Sequence, residues 1–222
     1  MEEMVISGVR CIVKYPKSFS TDQKYPLLFF FHGAGTRGDD IHNLINHPFF
    51  TLTAAHEALP FVIVAPFCTE NTWFDMWERL KHVVKMATDL PFVDRSRVYI
   101  MGASMGGYAT WQMAMSLPEY FSAIVPICGG GMYWNAARLI NIPAWAFHGA
   151  KDSVVRLEES SKMVDEINRC GGNAKLTVYP ENGHDAWSDT FTNIAVFDWL
   201  LQHRSSNWRV CDDEYCDTNL FG

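Results

Sequence analysis

"VYIMGASMGGYATWQMA", Val98–Ala114, decides how this chain is read. Before the glycines, "RVYIM" (Arg97–Met101) has the β-branched and apolar content of a strand, and after them "MGGYATWQMAM" (Met105–Met115) opens a helix. The turn between, Gly102-Ala103-Ser104-Met105-Gly106, has the G-x-S-x-G spacing of a nucleophile elbow, a sharp strand-to-helix turn that holds a serine hydroxyl clear of the sheet. Glycines suit it because the serine backbone is strained and its neighbours must leave room for the adjoining strand and helix. The helix that starts under Ser104 points amide protons and positive potential at any oxyanion forming there. By itself the stretch also fits a serine that only caps a helix, so the remainder of the chain must discriminate.

Apolar runs with strand character recur between helix-length segments. Residues 25–33, 59–66, 96–102, 121–129, 142–149 and 174–180 read as strands, mostly without polar alternation, as expected of strands covered on both faces. Residues 73–90, 105–117, 157–170 and 185–202 have helical spacing and length. Strand alternating with helix predicts an α/β fold, a mostly parallel central sheet with helices on both faces. The opening "VISGVRCIVKYP" alternates and predicts an antiparallel edge pair. No internal repeat or linker interrupts the pattern, so residues 1–208 read as one domain and 209–222 as a polar tail or surface arm.

Open α/β sheets bind ligands beyond the carboxyl ends of their strands, and the candidate chemistry falls there. A serine hydroxyl needs a histidine to take its proton and an acid to orient that histidine. "AFHGAKDSVV" supplies Asp152 just past one strand, and "VYPENGHDAW" supplies His184 past the next. The order Ser104, Asp152, His184 is the one an elbow nucleophile requires. Among the rivals, His32 and His148 each precede a glycine at a strand end and read as loop-structuring, and His203 reads as an exposed residue of the last helix. Asp185 and Glu181 read as bystanders of the His184 turn. The glycine-rich "FFFHGAGTRGDD" places Ala34, with Gly33 and Gly35 as alternatives, to offer a backbone N–H; the Met105 amide completes an oxyanion hole.

The composition, 48% hydrophobic and 19% charged in 222 residues, describes a folded globular chain. A net charge of −7 gives phosphate backbones and anionic membranes little to hold, and no apolar run has the length of a membrane span, so neither nucleic acid nor membrane is an expected partner. The acidic start lacks the basic and apolar regions of a signal peptide. A cytoplasmic location is therefore expected, with export open where a leader has been removed. Six scattered cysteines form no disulfide framework and read mostly as buried small hydrophobes; Cys211 and Cys216 have no further ligand nearby, so no metal is expected.

These motifs together resemble the α/β-hydrolase superfamily, in particular the small phospholipase/carboxylesterase and dienelactone-hydrolase type, whose members are often labelled esterases or peptidases. "FFHGAGTRGDD", "DRSRVYIMGASMGGYATW", "FHGAKDSVV" and "NGHDAW" carry the likeness. It implies an eight-strand-like sheet, no cofactor, a triad of Ser104, Asp152 and His184, and an oxyanion hole from Ala34 and Met105. Little sequence is spare for a lid domain. The expected activity is a serine carboxylic-ester hydrolase working through an acyl-enzyme on small neutral or aromatic esters, short-acyl or hydroxycinnamoyl. A thioesterase or peptidase with the same triad is the alternative within enzymes, and a non-catalytic ligand-binding protein the alternative outside them. Trp73, Trp77, Trp134 and Trp187 lie near the strand-end loops and are candidate pocket residues. The acidic charge and aromatic content permit a homodimer without indicating one.

Overall fold

The structure is a computed structural model that describes residues 1–54, 56 and 59–205. Eight strands form one sheet: β1 (Glu2–Ile6), β2 (Val9–Lys14), β3 (Tyr25–Phe31), β4 (Val62–Pro66), β5 (Val93–Ala103), β6 (Ala123–Ile127), β7 (Ala144–Gly149) and β8 (Ala174–Tyr179). Their order is β1-β2-β4-β3-β5-β6-β7-β8. From β4 to β8 every neighbour pair is parallel, while β2 runs antiparallel to β1 and β4, which is the edge pair the opening alternation predicts. Ser7 and Gly8, both at positive φ (51° and 72°), close the β1–β2 hairpin with the backbone twist that two-residue hairpins need.

Helices α1 (His42–Ile45), α2 (Pro48–Thr53), α3 (Trp77–Thr88), α4 (Met105–Ser116), α5 (Leu157–Arg169), α6 (Trp187–Thr192) and α7 (Ile194–Leu201) cover the sheet. The absence of polar alternation in the strands has its cause in two separate cores. In β3, Leu27, Phe29 and Phe31 pack on one face with Leu80 and Val84 of α3, Trp111 of α4 and Met163 of α5. Leu28 and Phe30 pack on the other face with Phe49 of α2, Phe191 of α6 and Phe197 of α7. Successive strand residues point to opposite faces, so a strand buried on both must be apolar throughout.

Several stretches differ from the sequence expectation. Strand β5 begins three residues earlier, at Val93, because its first residues pair with Tyr25 beyond a register shift. The final helix is split: the side chain of Asn193 accepts the amide of Ala195 at 3.1 Å and starts α7 as a new helix. Residues 42–53, outside the helical segments named above, form α1 and α2, the latter started by Pro48 at its first position and by His47 Nδ1, which accepts the Phe49 amide at 3.0 Å. No separate lid domain is present among the described residues, and no described helix is long and apolar enough to cross a membrane. The boundary at 208/209, the polar arm 209–222, Cys211 and Cys216 lie outside the described residues.

Candidate active site

Central strands β3 and β5 run side by side, with Phe31 opposite Gly102, so the loops that follow them emerge together at one edge. The turn after β5 holds Ser104 at φ 57° and ψ −119°, a conformation that non-glycine residues avoid. It is fixed from below: the Ser104 amide donates to the Ile127 carbonyl at 2.8 Å, and the Ser104 carbonyl accepts from Gly107 and Tyr108 as α4 begins. Close approach explains the glycines. A Cβ on Gly106 would lie 1.9 Å from the Phe31 carbonyl oxygen, and one on Gly107 would lie 2.5 Å from that of Ile127.

His184, on the loop after β8, reaches back over this turn. Its Nε2 is 2.8 Å from Ser104 Oγ and its Nδ1 is 2.7 Å from Asp152 Oδ2. Asp152, after β7, has a fully buried carboxylate whose second oxygen accepts the amides of Val154 and Val155, each at 2.9 Å. Burial pushes the Asp152 carboxyl up, but the hydrogen bonds from His184 and from the Val155 and Val154 amides outweigh it and hold the group below the usual carboxylate range. An ionised Asp152 keeps the His184 proton on Nδ1 and leaves Nε2 as the acceptor facing the serine. The three residues singled out in sequence are thus brought together.

Beside Ser104, the turn after β3 carries Gly33–Thr36. Ala34 begins a short 3-10 turn and Met105 begins α4, positions whose amides have no acceptor within their own helix. A Cβ on Gly33 would lie 3.5 Å from Ser104 Cβ, so this loop sits directly against the serine. His32 locks it in place: Nδ1 pairs with the Gly33 carbonyl at 2.8 Å, and Nε2 accepts the Cys68 amide at 3.1 Å. Complete burial pushes His32 down to about 4, consistent with the neutral ring those bonds require. The loop-structuring role read for His32 matches this geometry.

Trp73 holds the same loop, donating its indole N–H to the His32 carbonyl at 3.0 Å. It is fully buried and lines neither cavity near Ser104, which corrects its expected place in a substrate pocket: an indole with an internal acceptor on offer satisfies itself in the core. Trp134 is 69% exposed and also lines neither, because the 3-10 turn Tyr133–Leu139 turns it to solvent. Trp187 and Trp77 do border cavities. One, about 410 Å³, is formed by Gly33–Thr36, His47, Pro48, Ala103, Ser104, Val154, His184 and Trp187. The second, about 570 Å³, is bordered by Trp77, Phe74, Tyr108, Gln112 and Gly130–Met132.

Several residues behind this site carry no motif of their own. His148 is buried, with Nε2 3.3 Å from Asp152 Oδ2 and 3.0 Å from the Val155 carbonyl, and with Nδ1 2.7 Å from Ser160 Oγ. Ser160 in turn donates to the Gly129 carbonyl at 2.9 Å. The one legible signal for this chain of contacts is His148 itself, four residues before Asp152 on the same turn. Cys128, at φ 47° after β6, offers its sulfur within 4.8 Å of ligand atoms of Asp152 and His184. Burial pushes its thiol up to about 12, and the His184–Asp152 pair is already joined by a hydrogen bond. His203, expected exposed, is half-buried with Nδ1 against the Trp199 carbonyl at 2.8 Å. Cys11 and Cys68 are buried free thiols, and Cys170 is a half-buried one.

The dienelactone hydrolase family matches residues 67–192, more than half of the chain. The chain belongs to that family. A thermostable esterase of known structure is 31% identical, with a TM-score of 0.80 over 89% of this chain and 60% of its own. Est1E from Butyrivibrio proteoclasticus superposes with a TM-score of 0.69 at 17% identity over 90% of this chain and 98% of its own, a likeness of α/β-hydrolase fold. Dipeptidyl-aminopeptidase B of Aspergillus niger is 21% identical over 99% of this chain but only 30% of its own length. This chain spans less than a third of the length of the first curated relatives it matches, which are 29% and 30% covered.

Proposed function

We propose that the protein is a serine carboxylic-ester hydrolase. The observation that carries this is His184, held within 2.8 Å of Ser104 Oγ on one ring nitrogen and 2.7 Å of Asp152 on the other. Ser104 Oγ attacks the ester carbonyl while His184 Nε2 takes its proton, and Asp152 stabilises the imidazolium. The amides of Ala34 and Met105 receive the oxyanion; one such donor is worth about 3 kcal/mol in comparable sites. His184 then protonates the leaving alcohol. Water, deprotonated by the same nitrogen, attacks the acyl-enzyme and frees Ser104. No cofactor enters this cycle.

Small neutral esters, short-acyl or hydroxycinnamoyl, suit a serine whose adjoining cavity has no carboxylate or ammonium in its wall. A peptidase reading is favoured by the relatives named as dipeptidyl aminopeptidases. Both use one site and differ in the leaving group, so a single comparison separates them. Turnover of p-nitrophenyl acetate at least a hundredfold faster, in kcat/KM, than of dipeptidyl p-nitroanilides supports the esterase. The reverse order makes the chain a peptidase domain, and failure to cleave either by folded protein sinks both.

A further inference from the structure

The second cavity starts one helical turn beyond Ser104 and follows α4. Ser104, Tyr108 and Gln112 are spaced by four residues each and share a face of the helix, so Gln112 lies about 12 Å along the axis from Ser104. Phe74 and Trp77, whose ring centroids are 5.3 Å apart at 32°, make one wall. Gly130, Gly131 and Met132 line it as well, two of them with bare backbone. Two aromatic rings on its lining offer faces and edges on which a planar ring can pack.

Its two polar side chains, Tyr108 and Gln112, each offer an acceptor. Burial, with the Glu159 carboxylate beside it, pushes the Tyr108 phenol above its usual range, and its oxygen offers lone pairs to the slot it lines. Glu159 is pressed against Gly130, where a Cβ would meet its Oε2 at 2.4 Å, so the pair is fixed at the slot wall. Gln112 donates one Nε2 proton to Ser116 Oγ at 3.3 Å, and its amide carbonyl is an acceptor. The direction of the substrate follows from the proton path. A leaving alcohol must lie within reach of His184, so it occupies the cavity that His184 and Trp187 line, and the acyl group points to the other side of Ser104.

We propose that the slot along α4 is the acyl site and that it selects planar aryl-propenoyl acids bearing a ring hydroxyl, with Tyr108 and Gln112 accepting from that hydroxyl. An extended 4-hydroxycinnamoyl group reaches about one and a half helical turns, some 8 Å, from carbonyl to hydroxyl, which places the hydroxyl between the two acceptors. The inference rests on the ester-hydrolase reading above and names its substrate class.

The test measures kcat/KM for methyl 4-hydroxycinnamate and methyl cinnamate, with p-nitrophenyl acetate as the reference ester. The native protein is expected to prefer the hydroxylated ester about five- to tenfold, the loss incurred when a site acceptor goes unpaired. Tyr108→Phe should bring that ratio to within about twofold of unity, and Gln112→Met, which keeps the fold should Tyr108→Phe lose it, should reduce it part of the way. A native ratio near one, or a ratio unchanged in both variants, overturns the slot assignment. So does turnover of p-nitrophenyl acetate with neither cinnamate cleaved. Failure to cleave p-nitrophenyl acetate itself refutes the parent reading instead.

Discussion

Replacing Asp152 by asparagine tests the proton geometry, because the surrounding donors dictate which way the amide must face. One carboxylate oxygen accepts two backbone amides, from Val154 and Val155 at 2.9 Å each, and only the amide carbonyl can take that place. The NH2 group is therefore forced to the position of Oδ2, 2.7 Å from His184 Nδ1. There it donates, and His184 must become an acceptor at Nδ1 with its proton on Nε2. That nitrogen faces Ser104 Oγ at 2.8 Å and can no longer take the serine proton. Loss of the correct tautomer costs about 10³- to 10⁴-fold in kcat in triads of this design, or about 4–5.5 kcal/mol of barrier. The assay is steady-state hydrolysis of p-nitrophenyl acetate by Asp152→Asn, with circular dichroism to establish that the fold is kept. A kcat within tenfold of the native value would refute the claim that Asp152 sets the His184 tautomer.

Further consequences follow from the same geometry. Ser104 sits at φ 57° only because its surroundings hold it there, so Ser104→Gly should be more stable than Ser104→Ala by about 1 kcal/mol in urea unfolding, although both are inactive; equal stability would deny the strain. Gly106→Ala places a methyl 1.9 Å from the Phe31 carbonyl and should destabilise by about 3 kcal/mol, read as a lowered thermal midpoint; a midpoint within a degree of native contradicts the packing. His32 and His47 are each pushed down to about 4 by burial and stay neutral in the fold, while the unfolded chain binds their protons below about 6.5. Stability is thus fully present above pH 6.5 and lost as pH falls towards 4, by at most about 3 kcal/mol for His32. His32→Asn should flatten that slope in thermal melts between pH 7 and 4.5, and an unaltered slope removes His32 as a cause.

Legibility in the sequence tracked how local the determining physics is. The elbow was legible because strand, glycines and helix lie within seventeen consecutive residues, Val98–Ala114, and each element obeys its own rule. Asp152 and His184 were legible because the topology places every βα loop at one edge, so chain order stands in for distance. Residues acting through long-range contacts were not. Trp73 read as a pocket residue since nothing in "ENTWFDMW" reveals that its indole finds the His32 carbonyl, forty-one positions away. The His148–Ser160–Gly129 chain and the Tyr108–Glu159 pair unite separate loops and become visible only once β6, β7 and α5 are side by side. Helices α1 and α2, each under two turns, lack the length over which periodicity registers.

The central claim is that His184 makes Ser104 nucleophilic. Intact mass after incubation with an alkyl fluorophosphonate tests it directly, since the reagent labels a serine only where a base and an oxyanion site activate it. The account predicts one adduct per chain, mapped to Ser104, absent in Ser104→Ala and slowed at least a hundredfold in His184→Ala. An unlabelled native protein, or an adduct that persists in folded Ser104→Ala, would contradict it.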